Sequence, residues 1–209
     1  MSEKVLVVHH TYLEPYLEQK GQCFLAESRD HIVAEILEHY IFIPRDTAEY
    51  NFEYKQVIPY VIVRHGDRYL LLKRTAKQTE SRLHGKYSLG IGGHVNPPIS
   101  GQSENNPIID GLYKELNEEI ELTDPYCLSF IGVINDESTS VSKVHLGLLY
   151  VCEASSSQCE ILEKEKMSGQ WVTKDKLKEY FGLLETWSQI VYNCYISGHA
   201  PQGITLPRL

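Results

Sequence analysis

Apolar and polar positions change period several times along the chain, and each change marks an element. Residues 5–8 are a short apolar run. Residues 29–40 place Ile32, Ile36 and Tyr40 at four-residue spacing with Val33 and Leu37 beside them, the periodicity of a helix with Ser28 as its cap. Residues 56–63 then read as a β-rich strand, His65, Gly66 and Asp67 as a turn, and residues 69–73 as the partner strand. Residues 87–95 contain a short strand ending at Gly92 and Gly93. A loop rich in Asn and Pro follows. Asn106 then caps a helix with Pro107 at its first position, which the spacing extends to Leu122, where Thr123, Asp124 and Pro125 stop it. Residues 127–134 and 144–152 fit an antiparallel pair around a polar loop at 135–142. Trp171 and Val172 open the last stretch, with Thr173 capping a short helix over 174–180 and a second helical pattern over 183–195.

These elements predict an α+β fold, a mixed sheet with helices on its faces. The organisation expected is a small N-terminal α/β extension at residues 1–54 and a main domain at 55–209. No apolar run approaches the roughly 20 residues that span a bilayer, so no membrane partner is expected. The N-terminus lacks the pattern of a secretory signal, so the cytoplasm is the expected compartment. Five scattered cysteines without a C-x-x-C pair argue against a disulfide framework and a zinc site, and are read as reduced, mostly buried thiols. The net charge of −8 disfavours DNA. Its distribution is uneven: residues 61–90 carry seven basic side chains against two acidic ones, which suits a small polyanion.

The 106–122 helix carries the candidate chemistry. At about 100° per residue, Glu115, Glu118 and Glu119 share one sector of roughly 100°. That sector overlaps the edge of an apolar stripe built from Ile108, Ile109, Leu112, Leu116 and Ile120, while Asp110, Lys114, Asn117 and Glu121 already supply a solvent face. Like charges three and four positions apart repel, and no Lys or Arg lies three or four positions from Glu115. A divalent cation would satisfy all three carboxylates, and hard oxygen ligands suit Mg²⁺ or Mn²⁺. From periodicity alone, a merely acidic helix surface is equally open.

Gly92-Gly93-His94-Val95, followed by residues 114–122 (KELNEEIEL), resembles the Nudix box G-x5-E-x7-R-E-U-x-E-E-x-G-U, in which U is a bulky aliphatic. The hairpin containing Leu71-Leu72-Lys73-Arg74 and the Trp171-Val172 pair before a helix agree with the same family, and the likeness covers about residues 56–197. The resemblance implies a Nudix-like α/β/α sandwich that cleaves a diphosphate bond in a nucleoside diphosphate-linked or related small phosphorylated substrate with Mg²⁺ or Mn²⁺. Departures are plain. Lys114 replaces the box Arg, Glu121 the box Gly, Asn106 the first box glutamate, and the loop is seven residues longer than the pattern.

Carried over by resemblance, Glu118 and Glu119 are the principal metal ligands, Gly93 offers a backbone carbonyl, and Glu115 is a further ligand or the base; Glu115 and Glu119 are the catalytic pair. Glu165, six residues before Trp171, stands for the glutamate that many members supply from a later loop. Arg74, Arg82, Lys86 and His94 are the substrate-binding candidates, for phosphate oxygens. Trp171 and Trp187 offer rings for a base, although such aromatics are also ordinary core residues. Two other readings remain: a non-catalytic Nudix-like ligand sensor, and an enzyme like isopentenyl diphosphate isomerase, which uses a Cys and several His. A homodimer is also open.

Overall fold

The structure is a computed structural model and describes residues 2–17, 21–75, 85–98 and 106–198. Its centre is β4 (Tyr54–His65), whose residues 55–63 are all buried, as expected of a strand covered on both faces. Along one edge β4 pairs in parallel with β10 (His145–Ala154) from Gln56 to Arg64. Along the other it meets three partners in turn: β1 (Lys4–His9), β7 (Gly90–Gly92), and β5 (Arg68–Arg74) across the Gly66 turn. Beyond β10 lie β9 (Tyr126–Asp136) and β2 (Gln22–Leu25), and beyond β5 lies β12 (Met167–Thr173), giving a mixed ten-stranded sheet. Two short strands complete it: β3 (Ile41–Pro44) on β1 and β6 (Tyr87–Ser88) on β5.

Strand alternation sends β4 side chains to two cores. Val57, Val61 and Val63 face α1 (Arg29–His39) and α3 (Pro107–Glu119), meeting Ile32, Ile36, Ile108, Leu112 and Leu116. Tyr60 and Ile62 face the other layer, where α4 (Lys174–Tyr180) and α5 (Thr186–Val191) contribute Leu177, Ile190 and Val191. The sheet is thus covered on both sides, the α/β/α arrangement that the resemblance implies. The first 54 residues enter this body through β1 and β2, and Leu6, Val8 and Leu13 lie in the same core as Val57.

Helix α3 starts as expected: Asn106 accepts from the backbone N–H groups of Ile108 and Ile109, and Pro107 follows. It ends at Glu119, three residues earlier than the spacing predicts. Residues Ile120–Leu122 form β8, paired with β11 (Cys159–Ile161). Pairing wins there over helix propensity, and Glu121 belongs to a strand, not to the polar face of the helix. The last helical pattern is likewise broken, into a 3-10 turn at Phe181–Leu183, α5, and a π-helical turn at Tyr192–Ile196. No helix among the described residues is long and apolar enough to cross a membrane.

Candidate active site

A cleft of about 750 Å³ opens where α3, the end of β7 and the β12 turn meet β4 and the start of β10. Helix α3 delivers Glu115, Glu118 and Glu119 to it; Glu118 is exposed, Glu115 partly buried, and Glu119 only 7% exposed. The three come together because their helical spacing puts them at the border of the apolar stripe that Leu112 and Leu116 bury. Arg74, Lys86, Gly93 and His94 line the same cleft. Arg82 lies outside the described residues.

Burial raises the Glu119 carboxyl to about 7; Glu115 and Glu163 push the same way, and Arg74 opposes them. The Arg74 contact is long, Nη1 to Oε1 at 3.5 Å between two buried groups, and Arg74 Nε has no partner among the described residues. Glu119 Oε2 is buried with no hydrogen-bond partner among the described residues. Glu115 is also raised, by burial first and then by Glu118, against the pull of Lys114. Gly93 packs directly on it: a Cβ at that position would stand 2.3 Å from the Glu115 carboxyl carbon. A cradle of carboxylate oxygens, one of them buried and orphaned, beside a glycine whose backbone approaches closely, fits a hard divalent cation such as Mg²⁺ or Mn²⁺.

One expectation meets a different placement. The exposed Glu165 does not line the cleft, whereas Glu163 does, and Glu163 contributes to the raised state of both Glu115 and Glu119. The phase of the turn decides this: the Glu163 carbonyl accepts from the N–H groups of Lys166 and Met167, and Lys166 closes a salt bridge on its side chain. A charged stretch read from sequence does not show which glutamate such a turn directs inward. Lys114, in the place of the box Arg, donates to Asn96 Oδ1 at 3.0 Å and lies 3.4 Å from Glu115 Oε1.

The far side of the cleft holds residues that sequence reasoning missed: Asp136, Thr139, Ser142 and His145. Trp187 lines it too, set edge-on to Tyr60 with ring centroids 5.6 Å apart, while Trp171 packs against the core. Gly147 makes room for Trp187, since a Cβ there would lie 2.9 Å from the indole. His94 Nε2 meets Gln56 Oε1 at 2.9 Å. Burial, with Arg45 and His145 nearby, lowers His94 to about 3, so it is neutral at physiological pH. No cysteine lines the cleft among the described residues, which removes the thiol an isomerase-like site would use. Cys23, Cys152 and Cys194 are buried, Cys159 is partly buried and Cys127 is exposed; all five are free thiols.

The site is thus a cleft at the edge of a two-faced mixed sheet, with a glutamate-bearing helix at its mouth. The comparisons give the family. No family model matches the chain. The crystal structure of Tm1382, classed with the Nudix hydrolases, is similar at a TM-score of 0.76 and 32% identity, covering 93% of this chain and 99% of that one. Protein YmaB of Bacillus subtilis (strain 168) is 38% identical over 173 residues, which are 78% of this chain and 84% of that protein. The NUDIX domain of Shewanella oneidensis NrtR, solved with ADP ribose, shares the fold at a TM-score of 0.50 and 13% identity, over 66% of this chain and 84% of that one. The chain belongs to the Nudix hydrolase superfamily.

Proposed function

We propose that the cleft hydrolyses a diphosphate bond in a nucleoside diphosphate-linked or related small phosphorylated substrate, using Mg²⁺ or Mn²⁺. The observation that carries this reading is the buried Glu119 Oε2, without a partner among the described residues, beside Glu115 in a cleft that also holds basic side chains. Glu118, Glu119, Glu115 and the Gly93 carbonyl would hold the cation, with Glu163 as the further carboxylate in the position first assigned to Glu165. When bound, the cation shields phosphate charge and stabilises the leaving phosphate. Glu115, with its proton affinity raised by burial, accepts a proton from the attacking water. Lys86 and Lys166, both exposed at the cleft, take phosphate oxygens; Arg74, held between Glu119 and the Gly90 carbonyl, positions the Glu119 carboxylate. The nucleoside end lies toward Trp187 and Asp136. The NrtR domain's ADP ribose makes a nucleotide-derived ligand the first to try. Five free cysteines fit a reducing compartment such as the cytoplasm.

The test is a screen of the parent protein with Mg²⁺ and with Mn²⁺ against nucleoside diphosphate sugars, dinucleotide polyphosphates, nucleoside triphosphates and prenyl diphosphates, reading released products. Turnover is expected with at least one nucleotide class, abolished by chelator, and reduced about a thousandfold in Glu119→Gln and Glu118→Gln, the several kcal/mol such a cation supplies. Tight ligand binding with no turnover in the parent protein overturns this reading in favour of a ligand sensor.

A further inference from the structure

Beside the glutamates of α3 lies a second group of ligating side chains, two of which, His94 and His145, line the cleft. Glu49, His94 and His145 each present one ligand atom, and these atoms all lie within 4.8 Å of one another. They come from three places. Glu49 ends the short helix α2 (Arg45–Ala48), His94 follows the Gly-Gly strand end, and His145 opens β10. Strand register brings the histidines together: β4 places Gln56 between Val7 of β1 and His145 of β10, and the Gln56 side chain holds His94.

We propose that Glu49, His94 and His145 form a second metal site, for a borderline divalent cation such as Zn²⁺, with its open coordination position facing the cleft. Two histidines and one carboxylate make a three-ligand set of the kind that leaves a fourth position for water or substrate, and imidazole nitrogen selects Zn²⁺ and its neighbours over Mg²⁺. Both rings are already oriented by oxygen acceptors. His145 Nδ1 donates to the Val141 carbonyl at 2.7 Å, which puts the lone pair of that ring on Nε2. Gln56 Oε1 accepts from His94 Nε2, which puts the lone pair of His94 on Nδ1. Such contacts to the non-ligating nitrogen are the support that metal-bound histidines use.

Gln56, whose amide oxygen orients His94, is fully buried, so the orientation of that ring is fixed by the packing of β4. Charge permits the site: Arg45 is divided between Glu3 at 3.0 Å and Oε1 of Glu49 at 3.3 Å, so its charge is balanced and the second oxygen of Glu49 is left for the cation. Zn–N bonds of about 2.0–2.1 Å put tetrahedral ligands roughly 3.4 Å apart, so binding draws the trio together by up to about an ångström and a half. The absence of paired cysteines excludes only thiolate-held zinc; three ligands spread over residues 49, 94 and 145 leave no spacing to read.

The test titrates full-length, metal-stripped protein with Zn²⁺ alone by calorimetry, in millimolar Mg²⁺ that occupies the carboxylate site on α3. One Zn²⁺ per chain is expected. Affinity falls about a hundredfold or more in His145→Gln and at least tenfold in Glu49→Gln, while Glu118→Gln binds within twofold of the parent. X-ray absorption on the Zn²⁺-loaded parent, which needs no variant, then shows two imidazole ligands. Zn²⁺ displaced by Mg²⁺, a spectrum without imidazole, or loss of binding in Glu118→Gln but not in His145→Gln overturns the proposal. The readout is binding, so it stands or falls apart from the hydrolase reading.

Discussion

Glu119 sits under two opposed demands: it closes the apolar face of α3, and it keeps a carboxylate oxygen buried without a partner among the described residues. Its carboxyl is raised from 4.5 to about 7, so between those values the metal-free folded chain binds more protons than the unfolded one. Stability therefore falls as pH rises through that window, by a few kcal/mol at most. Glu119→Gln removes most of this slope. In chelator, the variant is expected to unfold at a higher denaturant concentration than the parent at pH 8 and to match it near pH 4.5; adding Mn²⁺ at pH 8 stabilises the parent and not the variant. Parallel pH profiles for the two proteins contradict this account.

At the scale of elements, the start of α3 is the part that local chemistry specifies most fully. Asn106 carries two backbone N–H groups on one side-chain oxygen, and Asn106→Ala should cost about 1 kcal/mol in denaturant melts without altering the metal affinity of α3. The other end of the same helix shows where sequence reading fails. Ile120 continues the apolar stripe as well in a helix as in a strand, and only its pairing with Ile161 on a distant segment decides for the strand. The long strands β4, β9 and β10 were legible because each carries a long, mostly apolar run, at 57–63, 127–134 and 146–152. β2, β3, β8 and β11 are three or four residues each, too short for a period to emerge. In the site, Glu115, Glu118 and Glu119 were legible because one helix carries all three at a fixed angle. Glu163 was not, because a turn sets its direction, and neither were Asp136, Ser142 and His145, which reach the cleft only through the register of β9 and β10.

The whole molecule is organised around β4, and this bears on how separable the N-terminal residues are. Val5, Leu6, Val7 and Val8 are all 0% exposed, and β1 covers the β4 edge at residues 54–56, directly beside the Gln56 row. A chain shortened to residues 55–209 is expected to lose cooperative unfolding by circular dichroism, because it exposes that edge and strips Leu6, Ile32 and Ile36 from the core they share with Val57 and Val61. A sharp melt from the shortened chain would show an independent domain. The central claim, that the carboxylates of α3 hold a divalent cation in the cleft, is tested most directly by anomalous diffraction from crystals soaked in Mn²⁺. The account predicts a manganese peak within bonding distance of the Glu118 and Glu119 carboxylates and the Gly93 carbonyl; a cleft with no peak there at millimolar Mn²⁺ contradicts it.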